Sequence, residues 1–359
     1  MKVTSVWAAD FETTTKSNLE KDGKIRVWLW SLVSTDMKQE YYGTTIETFI
    51  EKIKELECQL IFFHNLRFDG QFLINHFVDN NWQYGVDYSI ILSTEGQWYQ
   101  IALANGVNTI KIWDSAKKFP GLTVAKLAKM YNYPDKKEKP HFETYRGLDY
   151  QPTEEEIEYC LQDSRIVAYA IGKQFELGYT SMTLSSDAFK GVQASINQGR
   201  FWKYWRKEMP ELSKKWDDFI RPSYKGGWTY LNPKFADKTL HNIKVYDVNS
   251  LYPWVMRDCL LPCGEPRIRK PYGGELSIVK FVCDFELKEG MLPMMQIKGQ
   301  PHIYKGSEYL KRSLKEESLT MTNIDFELFT KHYDVEILSE PYYVSFNAKV
   351  GLLKDYIDC

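Results

Sequence analysis

An apolar run from Val3 to Ala9 passes directly into Asp10-Phe11-Glu12-Thr13. A run of that length and composition reads as a buried strand. Side chains alternate between the two faces of a strand, so Asp10 and Glu12 project from the same face at its end. Two carboxylates held side by side repel unless a positive charge neutralises them, and hard divalent cations take oxygen ligands. Asp-x-Glu after a strand is common, so its meaning rests on the residues that join it from further along the chain.

The first third of the chain alternates strand-like and helix-like segments. Ile25 to Val33 reads as a strand, and Thr45 caps an amphipathic helix over Ile46 to Leu56 with Ile46, Phe49, Ile50 and Ile53 on one face. Leu60 to Phe63 is a short buried strand, and Phe68 to Phe77 a helix. Ile90 to Leu103 forms a hairpin turning near Glu95-Gly96, and Thr109 to Trp113 is a further strand. Helices are predicted over Val124–Met130 and Thr153–Phe175. This order implies an α/β layer fold with a mixed sheet. Beyond Gly178 the character changes. Helices are predicted at Ala188–Ile196 and Phe201–Glu208, then a glycine loop, then a strand ending in Val245-Tyr246-Asp247. The stretch from Leu261 to about Tyr343 is rich in Gly, Pro and short β-like runs, and Val350 to Ile357 reads as an apolar, helix-bound segment.

Bulk properties set outer bounds. A chain of 359 residues, 43% hydrophobic and 26% charged, is long enough for two or three globular domains. Its net charge of −2 excludes a globally basic nucleic-acid binder, so any such binding must rest on local clusters. Its 11 Trp, 24 Tyr and 19 Phe are enough to fill cores and leave rings for stacking on bases. Six cysteines (58, 160, 259, 263, 283, 359) form no CxxC pair, and Cys259 and Cys263 lack the partners a zinc site requires. With neither a signal peptide nor a run of 18 apolar residues, a reduced, cytoplasmic setting away from membranes is expected.

Two further elements give Asp10 and Glu12 their company. In His64-Asn65-Leu66-Arg67-Phe68-Asp69, Asp69 sits where a strand feeds a helix, so its carboxylate can face the same sheet edge, with His64 and Asn65 as donors beside it. In Tyr159-Cys160-Leu161-Gln162-Asp163, Tyr159 and Asp163 are four apart and share a helix face. Taken singly, Asp69 reads as a helix-start residue and Asp163 as a solvated charge. Together, four carboxylates on one edge can hold two Mg²⁺ ions that activate a water and stabilise the leaving oxygen of a phosphodiester. Tyr159 would then orient the attacking water.

The order Asp-x-Glu, Asn-x-x-Phe-Asp, Tyr-x3-Asp resembles the DEDDy exonucleases, which implies a ribonuclease H-like fold and 3′→5′ removal of nucleotides from a single-stranded DNA end. The resemblance implies two Mg²⁺ ions, with Mn²⁺ as a substitute, on Asp10, Glu12, Asp69 and Asp163. Lys139-Pro140-His141-Phe142 looks like that family's lysine motif, with Lys136 and Lys137 as rivals for the assisting lysine.

A second motif, Tyr246-Asp247-Val248-Asn249-Ser250-Leu251-Tyr252-Pro253, resembles the D-x-x-S-L-Y-P motif of family B DNA polymerases. Asp247 would ligate the Mg²⁺ carrying a deoxynucleoside triphosphate. The turn through Val248, Ser250 and Leu251 would offer backbone N–H groups to its phosphates, and Tyr252 would pack under the deoxyribose. Tyr224-Lys225-Gly226-Gly227 looks like the Y-x-G-G loop between exonuclease and polymerase domains, where Tyr224, Gly226 and Gly227 approach DNA. From about residue 5 to 358, through Thr180-Ser181-Met182-Thr183, Leu260-Leu261-Pro262, Phe285-Glu286-Leu287-Lys288-Glu289-Gly290 and Tyr304-Lys305-Gly306-Ser307-Glu308-Tyr309-Leu310, the chain resembles the protein-primed polymerases of small tailed bacteriophages.

That resemblance implies an exonuclease domain over 1–178 and linker helices, the glycine loop and a first palm segment over 179–260. An insertion engaging a terminal-protein primer occupies 261–345, and 346–359 returns toward the palm. Partners would be a single-stranded 3′ end, primer–template DNA, the terminal protein and deoxynucleoside triphosphates, in the cytoplasm of a bacterial host. Thr13, His64, Asn65, Phe68, Phe72 and Ser115 would contact the 3′ end, with Phe68 and Phe72 stacking on bases. The family's Ser-Leu pair here reads Ser115-Ala116. A family B polymerase also uses Tyr-x-Asp-Thr-Asp and Lys-x3-Asn-Ser-x-Tyr-Gly motifs, and neither occurs in the 359 residues. The chain thus looks like the N-terminal part of a polymerase, with a stand-alone exonuclease and a non-catalytic DNA- or terminal-protein-binding module as the alternatives.

Overall fold

The strand at the head of the chain, β1 (Val6–Thr13), lies between two others. β2 (Val27–Ser34) pairs with it antiparallel, and β4 (Leu60–Phe63) pairs parallel. The computed structural model describes residues 5–15, 20–21, 23–134, 145–196, 200–270, 276–297, 302–305 and 308–358. The short edge strand β3 (Glu40–Gly43) and the later β5 (Tyr88–Leu92), β6 (Trp98–Asn105) and β7 (Asn108–Asp114) complete a mixed sheet ordered β3-β2-β1-β4-β7-β6-β5. β4 and β7 pair parallel, so β1, β4 and β7 all end at one edge of the sheet. This is where α/β sheets place their ligands.

Alternation along β1 assigns the two faces. Trp7, Ala9 and Phe11 join a core with α1 (Ile46–Glu55) and α2 (Leu66–Asp79). Val6 and Ala8 join a second core with α3 (Val124–Met130) and α4 (Glu154–Glu176). Asp10 and Glu12 share the parity of Val6 and Ala8, so they continue that second face past the end of its apolar part.

The 23-residue helix α4 is fixed at its start and along its length. A capping box closes its first turn: Thr153 Oγ1 accepts from Glu156 N–H at 3.3 Å and Glu156 Oε2 from Thr153 N–H at 3.0 Å. Glu156 also receives the buried Arg146 guanidinium at 2.7 Å and the Tyr150 hydroxyl at 2.7 Å, while Arg146 lies 4.1 Å over the Trp28 ring. Midway, Ser31 on β2 donates to the Cys160 carbonyl at 2.9 Å and meets the Ser164 hydroxyl at 2.7 Å. Further on, a Cβ on Gly172 would stand 2.7 Å from the Thr35 carbonyl oxygen, so only glycine lets helix and sheet approach this closely.

The chain forms two compact units, Met1–Lys190 and Gly191–Cys359. The helix α5 (Leu184–Ser195), which runs across the boundary at Lys190, begins four residues before its predicted start. The second unit contains α6 (Phe201–Glu208), α7 (Lys214–Ile220), α8 (Leu251–Asp258), α9 (Asn323–His332) and α10 (Lys354–Ile357). Its sheet comprises β8 (Leu260–Ile268), β9 (Leu276–Leu287), β10 (Glu317–Thr322), β11 (Tyr333–Ile337) and β12 (Tyr342–Val350). The order is β10-β9-β12-β8, with β11 paired to the far half of β9. Val279, Phe281, Cys283 and Phe285 of β9 pack against Phe329 and Tyr333. The Tyr333 hydroxyl gathers the irregular segments, accepting from Met294 and Met295 N–H at 2.9 and 3.2 Å and donating to the Leu310 carbonyl at 2.8 Å.

Two expectations in this unit fail. Residues 240–248 form no strand: Val245 and Tyr246 are 90% and 86% exposed, and no described strand supplies the backbone partner that an extended segment needs. The segment from Val350 is not one helix-bound stretch, because β12 claims Val350 through its pairing with Leu260 and leaves only Lys354–Ile357 helical.

Glu156 gives the helix start a pH signature. Burial would raise its pKa, but Arg146, the Thr153 N–H and the Tyr150 hydroxyl hold it below the usual carboxylate range. A folded pKa below the unfolded one stabilises above the unfolded value and loses that stabilisation as pH falls through the folded value. Glu156→Gln should therefore cost about 3 kcal/mol at pH 7, by leaving Arg146 buried without its counter-charge. In urea melts the gap to the parent chain should narrow as pH falls below the ordinary carboxylate range and through the lowered folded-state pKa of Glu156.

Candidate functional site: an acidic edge

The three parallel strand ends each deliver an acid to one edge. β1 supplies Asp10 and Glu12, the β4–α2 junction supplies Asp69, and β7 ends in Asp114. From the covering helix, α4 presents Tyr159, Cys160 and Asp163. Ligand atoms of Asp10, Glu12 and Cys160 all lie within 4.8 Å of one another.

The electrostatics tie the rest to this cluster. Burial raises the Tyr159 phenol well above its ordinary value, and Asp163, Glu12 and Asp10 raise it further. Tyr159 thus remains a protonated hydrogen-bond donor facing three of the predicted acids. Burial likewise raises the Cys160 thiol, with Asp10 and Glu12 next in effect. Its Sγ sits 3.2 Å from Ser31 Oγ.

Asp69 is buried among acids. Only 3% exposed, it is pushed up to about 8 by burial and by the Glu12 and Asp114 carboxylates, although the N–H groups of Asp69 and Phe11 pull it down. Its Oδ1 is buried with no hydrogen-bond partner. Buried polar atoms are nearly always satisfied, so an orphaned carboxylate oxygen beside a second carboxylate fits a hard divalent cation. The carboxylates of Asp10, Glu12 and Asp69 thus make an edge whose chemistry suits a divalent cation.

The surrounding residues divide by role. Asn65 adopts the left-handed conformation (φ 71°) that turns β4 into α2, and its N–H donates to Asp114 Oδ1 at 3.0 Å. Asp114 also accepts from Ala116 N–H at 2.9 Å, so it anchors two loops. Sequence reasoning missed it, although its place at the end of a parallel strand was a signal. Cys160 was missed as well, although it lies inside the Tyr-x3-Asp motif. His64 is engaged internally, Nε2 2.8 Å from the Leu122 carbonyl and Nδ1 2.9 Å from Ser115 Oγ. Because a carbonyl only accepts, Nε2 carries a proton there, and His64 and the fully buried Ser115 brace this loop. Thr13 is half-buried at the end of β1. Phe68 is 48% exposed and meets the half-buried Phe72 edge-on at 5.8 Å, a ring pair open to solvent. Lys136, Lys137 and Lys139 lie outside the described residues.

In the second unit, Tyr224, Gly226 and Gly227 are exposed, and a Cβ on either glycine would meet nothing within 4 Å. The fold's own packing therefore does not require glycine there. Asp247, Val248 and Tyr252 are exposed, and Ser250 turns through φ 54° into α8, which begins at Leu251.

Residues 104–359 match the family described as DNA polymerase type B, organellar and viral. The DNA polymerase of Bacillus phage phi29 is 37% identical over 98% of this chain and 62% of its own length. That of Streptococcus phage Cp-1 is 30% identical over 99% of this chain and 64% of its own. Among solved structures, phi29 DNA polymerase with primer–template DNA and incoming nucleotide superposes with a TM-score of 0.86 at 35% identity, covering 98% of this chain and 63% of that one. The same polymerase complexed with single-stranded DNA gives 0.84 at 34% identity, covering 98% and 62%. The chain thus spans less than two thirds of the length of these relatives.

A cation that binds only the folded site stabilises by mass action, about 2.7 kcal/mol at 100 times its dissociation constant. Mg²⁺ or Mn²⁺ should raise the melting temperature of the purified chain. Glu12→Gln should reduce that rise strongly while melting normally in EDTA; an undiminished rise would remove Glu12 from the cation site.

Proposed function

The chain belongs to the type B DNA polymerases of the organellar and viral kind, and on that premise we propose that its first unit is a 3′→5′ exonuclease acting on single-stranded DNA ends. Its second unit carries the first palm segment and a primer-protein-binding region of a protein-primed viral DNA polymerase. The observation that carries the reading is the convergence of Asp10, Glu12 and Asp69 at one sheet edge beneath Tyr159 and Asp163, with one Asp69 oxygen left unsatisfied. A mixed sheet with this covering helix accords with a ribonuclease H-like fold. The relatives' complexes with single-stranded and primer–template DNA support DNA as the ligand.

Divalent cations held by Asp10, Glu12, Asp69 and Asp163 would supply charge neutralisation and acidify a water. The chain's own groups do the rest. The phenol of Tyr159, kept protonated by burial and by its acidic neighbours, hydrogen-bonds and aims the attacking water. Phe68 offers its open ring to a terminal base. Lys139, or one of its neighbours Lys136 and Lys137, would neutralise charge on the scissile phosphate. In the second unit, Asp247 would hold the cation of an incoming nucleotide, Val248, Ser250 and Leu251 its phosphates, and Tyr252 its sugar. Tyr224, Gly226 and Gly227 would let a DNA strand pass close to the backbone. The region over residues 261–345 would meet the terminal protein, in the cytoplasm of a bacterial host.

A narrower reading, exonuclease alone, is favoured by one contrast: the acids of the first unit are gathered, whereas Asp247 stands on an exposed segment that no described strand pairs. A labelled primer–template with a short single-stranded 3′ tail, incubated with the chain and Mg²⁺, tests both. Shortening that deoxynucleotides do not reverse supports the exonuclease on an incomplete synthetic site. Extension would require the palm to function with Asp247 as its one identified carboxylate, and no shortening at all would defeat the nuclease reading.

Asp163→Ala should abolish shortening while leaving single-stranded DNA binding largely intact, whereas Tyr159→Phe should slow it by about 10²-fold without loss of cation binding. Phe68→Ala should weaken single-strand binding by about 1–3 kcal/mol in fluorescence anisotropy. Unchanged binding would leave Phe68 as a bystander.

A further inference from the structure

Beyond hard-cation chemistry, the same edge contains a soft ligand. We propose that Asp10, Glu12 and Cys160 form a thiophilic cation site, taking Zn²⁺ or Cd²⁺, whose occupation blocks the proposed nuclease. The inhibitory consequence rests on the nuclease reading; the site itself does not.

Three observations carry it. One atom from each of the three residues lies within 4.8 Å of the other two. A tetrahedral zinc with bonds of ~2.0–2.3 Å separates its ligands by roughly 3.5 Å, so side-chain adjustments on the order of 1 Å close the triad. Second, Asp69, 3% exposed and close enough to Glu12 to be repelled by it, has an oxygen without a donor and is a candidate fourth ligand. Third, Cys160 is placed by the helix: Ser31 Oγ donates to the Cys160 carbonyl and accepts the thiol proton at 3.2 Å, so the sulfur stands at the edge before a cation displaces that proton. A thiolate with two carboxylates prefers borderline and soft dications over Mg²⁺.

Binding forms one S–metal bond and releases the thiol proton to solvent. It also takes the Asp10 and Glu12 oxygens that the nuclease requires. Zinc and magnesium thus compete for two carboxylates, and Cys160 gives zinc the advantage.

Cd²⁺ titrated into the purified chain should produce a sulfur-to-cadmium charge-transfer band in the ultraviolet. That band should be lost, with at least a tenfold drop in Cd²⁺ affinity, in both Cys160→Ser and Cys160→Ala. Equal bands and affinities in parent and variants would overturn the site. X-ray absorption of the zinc-loaded parent chain tests it without mutation: a sulfur shell at ~2.3 Å is expected, and an oxygen- and nitrogen-only shell would overturn it. With each protein normalised to its own Mg²⁺ rate, the Zn²⁺ concentration for half-inhibition should rise at least tenfold in Cys160→Ser. A Cys160-dependent band in a chain without nuclease activity would uphold the cation site and sink the nuclease reading. Nuclease activity with a Cys160-independent band would do the reverse.

Discussion

The seating of the helix Glu154–Glu176 on the central sheet is the contact on which the acidic edge depends. Ser31 fixes it axially, reaching both the Cys160 carbonyl and the Ser164 hydroxyl. Gly172 fixes its distance, because the Thr35 carbonyl occupies the space any side chain would need. A one-residue slip would turn the helix by about 100° and carry Tyr159 and Asp163 away from Asp10 and Glu12. Each hydrogen bond contributes only about 1 kcal/mol. Their value lies in excluding the neighbouring registers, which hydrophobic packing alone leaves close in energy.

Buried charge is handled in two ways within the first unit. Lys118 donates to the Tyr179 and Ser181 carbonyls at 2.9 and 3.0 Å and to Asp187, and Asp187 accepts the Ser181 N–H at 2.8 Å. Arg146 is likewise matched by Glu156 and covered by Trp28. Each of these buried cations faces a carboxylate, and the pairs hold the fold. Asp69 is buried to a similar degree, yet one oxygen has no donor and its neighbours are acids. The difference is the sign of the neighbours: Glu156 and Asp187 meet cations, whereas Asp69, pushed up to about 8 by burial first, meets Glu12 and Asp114, a setting in which a bound cation would take the place of its proton.

Much of this was legible in the residues. Apolar runs and caps placed β1, β4 and the helices Ile46–Glu55 and Val124–Met130 to within a few residues, because local pattern and tertiary burial agree there. The parity of Asp10 and Glu12 was readable for the same reason. The edge strand Glu40–Gly43 was not, since four residues of alternating exposure carry too little apolar signal. Asp114 follows a legible strand and Cys160 lies inside a legible motif, but that they meet the same edge as Asp10 comes from strand order and helix register, which local sequence does not encode. The segment before Asp247 has the composition of a strand but no described partner, and pairing, not composition, makes a strand. His64 and Ser115 were read as DNA contacts from the motif. Their hydrogen bonds to the Leu122 carbonyl and to each other also give them a place in bracing the loop that carries Asn65.

The central claim is that Asp10, Glu12, Asp69 and Asp163 are one cation-holding centre rather than four unrelated acids. Crystals of the chain soaked in Mn²⁺, with anomalous scattering recorded at the manganese edge, address it most directly. The account predicts density at the ends of the strands Val6–Thr13 and Leu60–Phe63, liganded by Asp10, Glu12 and Asp69, and none there in Asp69→Asn. Manganese bound elsewhere with this edge empty, or bound equally well without the Asp69 carboxylate, would contradict it.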